Sequence, residues 1–326
     1  MSVVPVLQHE LDAAASGDEE AFRLLVDPHR GVLHLHCYRM LGSVHDADDA
    51  LQETLLRAWR SLGRYEPRGS FGAWMHAIAT NVCLTTLASR RRRREIPVAE
   101  TGEESWDTRL LHVQPYPDRL LDELERRETV ELAFVTAAQL LPPKQRAVLI
   151  LRDVLDWSAK ETAEVLGDSV AAVNSALQRA RAGLAHGRSL GAPSHEPASQ
   201  AAEQALLRRF MAAWDAVDVD GIVSLLARDA TMAMPPEPQF VRGAEALGDF
   251  FATVPCQGRL ELIRLLPTAA NRQPALAAYV WDAESRSHRA YGIMVLALEG
   301  EAVAGIVGFA DASIFDRFGL STELEA

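Results

Sequence analysis

The side chains best suited to chemistry lie in one segment near residue 170 of this 326-residue chain. Val170, Val173 and Leu177 are spaced by three and four residues, which predicts a helix with one buried face. The opposite face would present amide, hydroxyl and guanidinium groups, which hydrogen-bond to base edges and phosphates in the major groove of DNA. The residues predicted to contact DNA here are Ser169, Asn174, Ser175, Gln178, Arg179 and Arg181.

The segment in front of this helix predicts another helix and a tight turn. Ser158 and Glu161 have the spacing of a capping box, in which each side chain bonds the backbone amide of the other residue. Gly167 permits the turn, and Asp168 or Ser169 would cap the helix that follows. Two helices joined in this way form a helix-turn-helix, whose second helix reads the major groove. An ordinary helical hairpin with a solvated polar face has the same pattern and remains the alternative.

A second set of candidate groups surrounds a helical stretch that begins near Phe71. Holding an unpaired base needs an aromatic face for stacking and cations for the phosphates. Phe71, Met75 and Val82 form a stripe typical of a buried core, whereas Trp74 and Asn81 share another face. A buried Trp74 is the alternative to one that contacts nucleic acid. The residues predicted to contact unpaired bases or their phosphates are Arg64, Tyr65, Ser70, Trp74, Asn81, Arg90, Arg91, Arg92, Arg93 and Arg94.

Five consecutive arginines close this helix, in a chain whose net charge is −12. Cations at a helix carboxy terminus oppose the negative end of the helix dipole. Arginines also hold nucleic-acid phosphates without reading the sequence. The negative net charge excludes a polyanion that binds the whole surface of the protein. It does not exclude a polyanion that binds a local basic patch. A solvated surface run, a targeting signal and a membrane tether remain alternatives for the bare run.

The helix predicted before this one carries a mixed polar and apolar stripe. Between Asp46 and Trp59, charged, amide and apolar residues recur at spacings of three and four, so they share one side. Such an asymmetric stripe suits docking on another protein, and a solvated helix face is the alternative. The residues predicted to dock are Asp46, Asp49, Gln52, Glu53, Leu56 and Arg57.

Residues 1–187 resemble bacterial sigma factors of the extracytoplasmic-function (ECF) type. The resemblance is carried by DADDALQETLLRAWRSL, FGAWMHAIATNVCLTTLASRRRRR and LPPKQRAVLILRDVLDWSAKETAEVLGDSVAAVNSALQRARAGL, in this order. It implies that the first segment docks on the bacterial RNA polymerase core, formed by the β′ and β subunits. The second would melt promoter DNA at the minus-ten element, and the third would read the minus-thirty-five element. The linker between them would thread through the polymerase towards the RNA exit path.

Three positions depart from the pattern of this family. His76, Ala77 and Thr85 stand where a tyrosine, an arginine and an aspartate are common. The preference for a particular promoter sequence is therefore not implied by the resemblance.

Residues 200–326 resemble the SnoaL-like branch of the nuclear-transport-factor-2 (NTF2-like) fold, in which a curved sheet and helices surround a conical pocket. The resemblance lies in LLRRFMAAWDAVDVDGIVSLLARDATMAMPPEPQFVRGAEALGDFF and IVGFADASIFDRFGL. A possible small ligand would occupy this pocket, although a plain core explains any single one of its side chains. The residues predicted to line it are Trp214, Met232, Met234, Phe240, Tyr279, Trp281 and Tyr291.

Catalysis in such a pocket would need an acid/base pair. His288 and Asp311 are the candidates, but nothing in the sequence places them together. The stretch ESRSHRAY around His288 has the composition of an exposed turn. Regulation is the simpler hypothesis: the domain would make an intramolecular contact with the sigma domains or their linker and so change polymerase binding or promoter affinity. We expect no enzyme activity, no cofactor and no metal.

The three cysteines of the chain are far apart and odd in number. This argues against a disulfide framework or a zinc cluster and favours a reducing cytoplasm. Near the end of the chain, Glu299 and Glu301 interrupt an apolar stretch, so we expect two buried strands rather than a membrane span.

The sequence thus predicts two all-α domains followed by an α+β domain. Their predicted bounds are 1–94 for sigma region 2, 95–120 for a linker, 121–190 for sigma region 4, 191–199 for a second linker and 200–326 for the SnoaL-like domain.

Three functions are compatible with parts of the chain. The first is an alternative sigma factor, the second a ligand-responsive helix-turn-helix regulator, and the third a cyclase- or isomerase-like enzyme fused to a DNA-binding module. Only the first uses both the docking helix and the melting helix. The second leaves residues 18–94 unexplained, and the third leaves most of the chain unexplained.

Overall fold

The computed structural model of the protein describes most of the chain, with gaps at the ends and in several connections. The described residues are 8–66, 70–93, 113–121, 129–189, 195–235 and 240–325. The chain forms two compact units, which are treated separately below. The first unit comprises residues 1–103, 121–124 and 137–187, and the second comprises 104–120, 125–136 and 188–326.

The first unit is helical. Its described helices are α1 (Gln8–Ala15), α2 (Glu19–Val26), α3 (Arg30–Leu41), α4 (Val44–Ser61), α5 (Phe71–Arg93), α7 (Pro143–Leu149), α8 (Ala159–Leu166) and α9 (Val170–Ser189), while α6 (Leu132–Gln139) crosses the boundary between the units.

Helix α3 is buried along most of its length, and α4 and α5 both pack against it. Leu33 and Met40 of α3 and Met75 of α5 are fully buried. Gly42 ends α3 in the left-handed conformation, at a φ of 78°. Ser43 then starts α4, since its Oγ accepts a hydrogen bond from the backbone N–H of Asp46 at 3.2 Å.

A buried arginine connects α7 to this bundle. Arg146 of α7 donates hydrogen bonds to the carbonyl oxygens of Met40, Ala138, Gln139 and Leu141. Burial lowers the pKa of its guanidinium to about 10. Met40 lies in the last turn of α3, where carbonyl groups have no partner within the helix, so the arginine satisfies them.

The second unit is built on a mixed sheet with helices. Its described strands are β1 (Glu196–Pro197), β2 (Leu226–Ala233), β3 (Phe240–Arg242), β4 (Ile263–Ala270), β5 (Gln273–Asp282), β6 (Ser287–Gly300), β7 (Ala302–Phe309) and β8 (Glu323–Leu324). Its helices are α10 (Gln200–Asp215), α11 (Val219–Ser224), α12 (Ala244–Thr253) and α13 (Phe315–Phe318).

The strand order is β3-β2-β7-β6-β5-β4, and β1 and β8 also pair with β6. Strands β4 to β7 follow one another antiparallel, whereas β2 joins β7 in parallel. The core lies between the sheet and helices α10 to α12, where Phe210, Trp214 and Phe251 pack against strand residues such as Leu276 and Leu296.

The predicted fold class, two helical domains followed by an α+β domain, is confirmed. The apolar runs on either side of Glu299 and Glu301 form strands β6 and β7. The expectation of an exposed turn at His288 is wrong, because β6 begins at Ser287 and His288 pairs with Trp281 of β5. In the part of the chain that the structure describes, no helix combines the length and apolarity needed to cross a bilayer.

Candidate nucleic-acid and partner interfaces

A tight turn joins α8 to α9. The backbone N–H of Ser158 donates to Glu161 Oε2 at 2.8 Å, and the N–H of Glu161 donates to Ser158 Oγ at 3.2 Å, which completes the capping box. Hydrogen bonds from Ser158 also hold the pKa of the Glu161 carboxyl below its usual range. Gly167 turns the chain at a φ of 64°. Lys144 of α7 forms an ion pair of 2.6 Å with Asp168, which follows the turn.

Helix α9 buries one face and exposes the other. Val173, Leu177 and Ala180 are buried. Val170 is 43% exposed, so its predicted inward position is wrong: it is the first residue of α9 and lies one turn before the buried part. The predicted DNA-contacting residues, all exposed, are Ser169, Asn174, Ser175, Gln178, Arg179 and Arg181.

Some of these side chains already have intramolecular partners. Ser169 Oγ accepts a hydrogen bond from the N–H of Ala172 at 3.1 Å and so caps α9. Arg179 donates to Ser175 Oγ at 2.6 Å, along the same face. Arg181 donates one hydrogen bond to each carboxylate oxygen of Asp153, at 2.8 and 2.7 Å. Four of the six predicted residues, Ser169, Ser175, Arg179 and Arg181, thus take part in hydrogen bonds within the protein.

An aromatic cluster forms where α5 begins. The ring of Tyr65 lies 5.0 Å from that of Trp74 and 5.6 Å from that of Phe71. Phe71 is buried, whereas Trp74 and Tyr65 are half-buried. Burial raises the pKa of the Tyr65 hydroxyl. Asn81 lies two turns further along α5, exposed, and its Nδ2 donates to the carbonyl oxygen of Ala77 at 3.0 Å. A stacking face and an amide are thus available on one helix.

The remaining residues of this predicted set have different surroundings. Ser70 Oγ accepts a hydrogen bond from the N–H of Ala73 at 3.1 Å, so it caps the start of α5. Arg64 is exposed. Arg90 pairs with Asp46, which joins the end of α5 to the first turn of α4 and links two residues predicted for different partners. The side chains of Arg91, Arg92 and Arg93, and the whole of Arg94, lie outside the described residues.

The α4 stripe lies beside a groove. Asp49 and Gln52 are exposed, and Leu56 is 50% exposed. Glu53 accepts a hydrogen bond from Arg57 at 2.6 Å in an ion pair along the helix. The groove has a volume of about 500 Å³, and its lining includes Gln52 and Leu56 together with aromatic side chains of α2 and α4.

Burial explains one of the three departures from the family pattern. His76 is buried, and its Nδ1 lies 2.8 Å from the carbonyl oxygen of Gly72. Its ring also packs edge-on against that of His36. Thr85 Oγ1 donates to the carbonyl oxygen of Asn81 at 2.8 Å along the helix. Position 76 therefore belongs to the core of the bundle and not to its surface.

A hydrogen-bonded cluster in the second unit, not predicted from the sequence, holds part of the predicted linker and part of the segment after it. The N–H of Tyr116 donates to Asn271 Oδ1 at 2.8 Å, and Asn271 Nδ2 donates to the carbonyl oxygen of Val130 at 2.7 Å. The N–H of Leu132 donates to Gln273 Oε1 at 2.9 Å. Asn271 occupies the turn between β4 and β5, fully buried, with a φ of 58°. The sequence signal for this position is an asparagine between two predicted strands, which favours a hairpin turn but does not indicate its partners.

An apolar cavity opens in the same unit. Its lining includes Trp214, Met232, Met234 and Tyr291 from the predicted pocket set. Phe240, Tyr279 and Trp281 do not line it. Tyr279 follows the cavity residue Ala278 on β5 and lies on the other face of the sheet, where its hydroxyl donates to the carbonyl oxygen of Ser321 at 2.9 Å. Trp281 packs on His288, and Phe240 is 39% exposed at the start of β3.

The two candidate acid/base residues lie outside this cavity. His288 is half-buried on β6, next to the Trp281 ring. Asp311 caps a short turn by accepting the N–H of Ser313 at 2.9 Å, and it also accepts a hydrogen bond from Gln114. The structure does not bring the two together as a pair.

The chain combines a helix-turn-helix, a helical bundle with a half-buried aromatic cluster and exposed charged residues, and an α+β extension. This combination is that of a multidomain transcription protein. Family models match all three parts: Sigma-70 region 2 over residues 25–93, Sigma-70, region 4 over residues 131–184 and the SnoaL-like domain over residues 207–306.

Two known sigma factors are similar to the chain. The ECF RNA polymerase sigma factor SigG of Mycobacterium tuberculosis is 39% identical over 325 residues, which cover 93% of this chain and 85% of that relative. SigJ of the same organism is 31% identical over 221 residues, 65% of this chain and 66% of SigJ. The crystal structure of SigJ covers 90% of this chain and 98% of its own, with a TM-score of 0.62 at 23% identity, which supports the fold.

The chain belongs to the ECF RNA polymerase sigma factors. It is therefore an alternative sigma factor, a transcription initiation factor rather than an enzyme, and its partner is RNA polymerase.

Proposed function

We propose that this sigma factor divides promoter recognition and polymerase binding among three faces of its first unit. The exposed α4 stripe docks on the polymerase core, at β′ with β nearby. The aromatic end of α5 holds unpaired bases of the minus-ten element, and α9 reads the minus-thirty-five element as duplex DNA. The C-terminal domain regulates these steps, all in the cytoplasm.

The composition of the α4 stripe supports its role in docking. Leu56 offers an exposed apolar side chain beside the groove, and Asp49, Gln52 and Glu53 surround it with polar groups. Protein interfaces commonly combine an apolar centre with a polar rim. Arg90, predicted to contact DNA, forms an ion pair with Asp46, predicted to dock on the polymerase. This ion pair is compatible with both roles, because Asp46 lies in the first turn of α4, at the edge of the stripe.

The two DNA faces are supported by the chemistry of their side chains. On α9, the amides of Asn174 and Gln178 suit adenine, and Arg179 suits guanine or phosphate. At α5, Trp74 and Tyr65 present half-buried rings that can stack on a base removed from the duplex.

The hydrogen bonds of Asn271 carry the proposal of regulation. Asn271 and Gln273 lie on one hairpin. They hold the backbone of the predicted linker at Tyr116 and that of the first part of sigma region 4 at Val130 and Leu132. A linker that threads through the polymerase has to leave these partners first. The C-terminal domain therefore restrains the linker, and its release favours the active form.

Two neighbouring substitutions test this regulation. Asn271 and Arg272 both have a φ of 58°, which glycine adopts without strain. Asn271→Gly removes two buried side-chain hydrogen bonds, worth about 2 kcal/mol together. We expect it to raise promoter-specific transcription by core polymerase several-fold at limiting sigma factor.

Arg272→Gly is the matched control, because it keeps the backbone N–H that donates to Asp118 at 2.7 Å. We expect its transcription rate to stay within about twofold of the unmodified protein. An unchanged or reduced rate for Asn271→Gly would contradict the regulation and leave the roles of the three faces standing.

A further inference from the structure

The cavity of the second unit has apolar walls. Its volume is about 60 Å³, and it lies between the sheet and helices α10 and α12. Trp214 and Phe251 close it from the helices, while Met232, Met234 and Met294 line it on the sheet side. Three of the seven methionines of the chain therefore meet at one site.

The cavity offers very little to a polar ligand. Among the described residues that line the cavity, only Trp214 and Tyr291 have side chains with nitrogen or oxygen atoms. The indole N–H of Trp214 already donates to the carbonyl oxygen of Ile263 at 3.1 Å. Tyr291 is 48% exposed, which places it at the mouth rather than the floor. A charged molecule would lose its hydration here without replacement, whereas an apolar one gains from leaving water.

Gly308 of β7 keeps part of this space open. A Cβ atom at Gly308 would lie 3.6 Å from Met234 Cγ and 3.9 Å from Met294 Cγ, at ordinary contact distance. Its φ is not in the left-handed region, so the backbone does not require glycine. Glycine inside a strand weakens it and often marks a place where a ligand approaches closely.

We propose that this cavity binds a small, uncharged, apolar molecule, such as one with a single aromatic ring. An apolar cavity of about 150 Å³ holds a benzene ring. The methionines must therefore shift to admit a ligand of that size, and their flexible thioether chains allow such movement. The described residues of its walls hold no titratable group apart from Tyr291 at the mouth, so we expect the site to bind a ligand without acid/base chemistry. This binding belongs to the second unit alone and does not depend on the proposed regulation of the linker.

Methionine methyl signals offer a direct test with the full chain. The protein is labelled with ¹³C at the methionine methyl groups, and two-dimensional NMR spectra are recorded while toluene is added. We expect the signals of Met232, Met234 and Met294 to shift with saturation, at a Kd on the order of 1 mM. The signals of Met40 and Met75, buried in the first unit, should not move. Benzoate, the same ring with a carboxylate, should give no saturating shift.

A pair of glycine substitutions gives the matched control. Gly308→Ala fills part of the cavity with one methyl group, and we expect it to weaken toluene binding at least fivefold. Gly31→Ala places its methyl group on α3 with no atom within 4 Å and should leave the binding unchanged. The proposal is overturned if the three cavity methionines do not respond, if all methionines respond alike, if benzoate binds as well as toluene, or if Gly308→Ala binds toluene normally.

Discussion

Arg146 of α7 donates a hydrogen bond to the carbonyl oxygen of Met40, in the last turn of α3. The same guanidinium donates to the carbonyl oxygens of Ala138 and Leu141. One buried cation thus satisfies the ends of separate chain segments, and the partial negative charge of these carbonyl groups stabilises it. This contact holds sigma region 4 against the region 2 bundle within the first unit.

Removal of this guanidinium should destabilise the first unit. Arg146→Met keeps an apolar stem but leaves several buried carbonyl groups without their donor, so we expect the free energy of unfolding to fall by about 3 kcal/mol. Urea denaturation followed by circular dichroism measures it. Arg60→Met, at an exposed position of α4, should change the free energy by less than about 0.5 kcal/mol. Equal effects of the two substitutions would show that Arg146 is not a structural hub.

The stability of the helical bundle should fall in mild acid because of His36. Burial lowers the pKa of His36 well below its usual value, and the electrostatic influence of the nearby His76 and Arg39 acts in the same direction. His36 therefore binds a proton near pH 6.5 in the unfolded chain, whereas in the folded chain it stays neutral at that pH. As the pH drops below about 6.5, the free energy of unfolding should decrease by up to about 1.4 kcal/mol per pH unit.

Substitution of His36 should reduce this dependence on pH. His36→Asn retains an amide near Thr80 Oγ1, which lies 2.9 Å from His36 Nε2. Urea denaturation at pH 7.5, 6.5 and 5.5 should show a flatter profile for this variant. His9→Asn, at an exposed position of α1, should keep the slope of the unmodified protein. Identical slopes for both variants would assign the acid sensitivity to another group.

Substitutions on α9 should weaken binding to the upstream promoter element. Asn174→Ala and Gln178→Ala each remove one amide that suits a base edge, so we expect each to cost about 1–3 kcal/mol, or roughly 5- to 150-fold in affinity. Fluorescence anisotropy with promoter duplexes at fixed salt measures the affinity. Glu164→Ala, exposed on α8, serves as the control and should not weaken binding.

Substitutions on α4 should produce a different defect. The double substitution Asp49→Ala and Glu53→Ala removes two charges from the stripe, so we expect weaker binding to core polymerase, by about tenfold, with unchanged affinity for the duplex element. Pull-down or anisotropy with purified core polymerase measures the first quantity. If the α4 and α9 variants lost the same activity, the proposed division between the two helices would be wrong.

Local patterns predicted the helices and their caps, because those depend on neighbours along the chain. The capping box at Ser158 and the buried positions Val173 and Leu177 follow from spacings of three and four residues. Val170 was misplaced because periodicity assigns a face, whereas exposure at a helix end depends on what packs there.

The contacts that need distant partners could not be predicted in this way. Asn271 meets Tyr116 across 155 residues of sequence, and Arg146 meets Met40 across 106. No local pattern encodes such pairs. The lining of the cavity was predicted only in part for the same reason. Strand alternation places Ala278 and Tyr279 on opposite faces of the sheet, but the sequence does not show which of the two faces borders the cavity.

Transcription in vitro tests the central assignment most directly. Purified core polymerase, with and without the full chain, is incubated with a library of genomic promoter fragments, and transcript starts are mapped. We predict discrete starts that require the chain, and we expect both the α4 and the α9 variants to reduce them. If no fragment gave a start that depends on the chain, the assignment of this protein as a promoter-specific initiation factor would be contradicted.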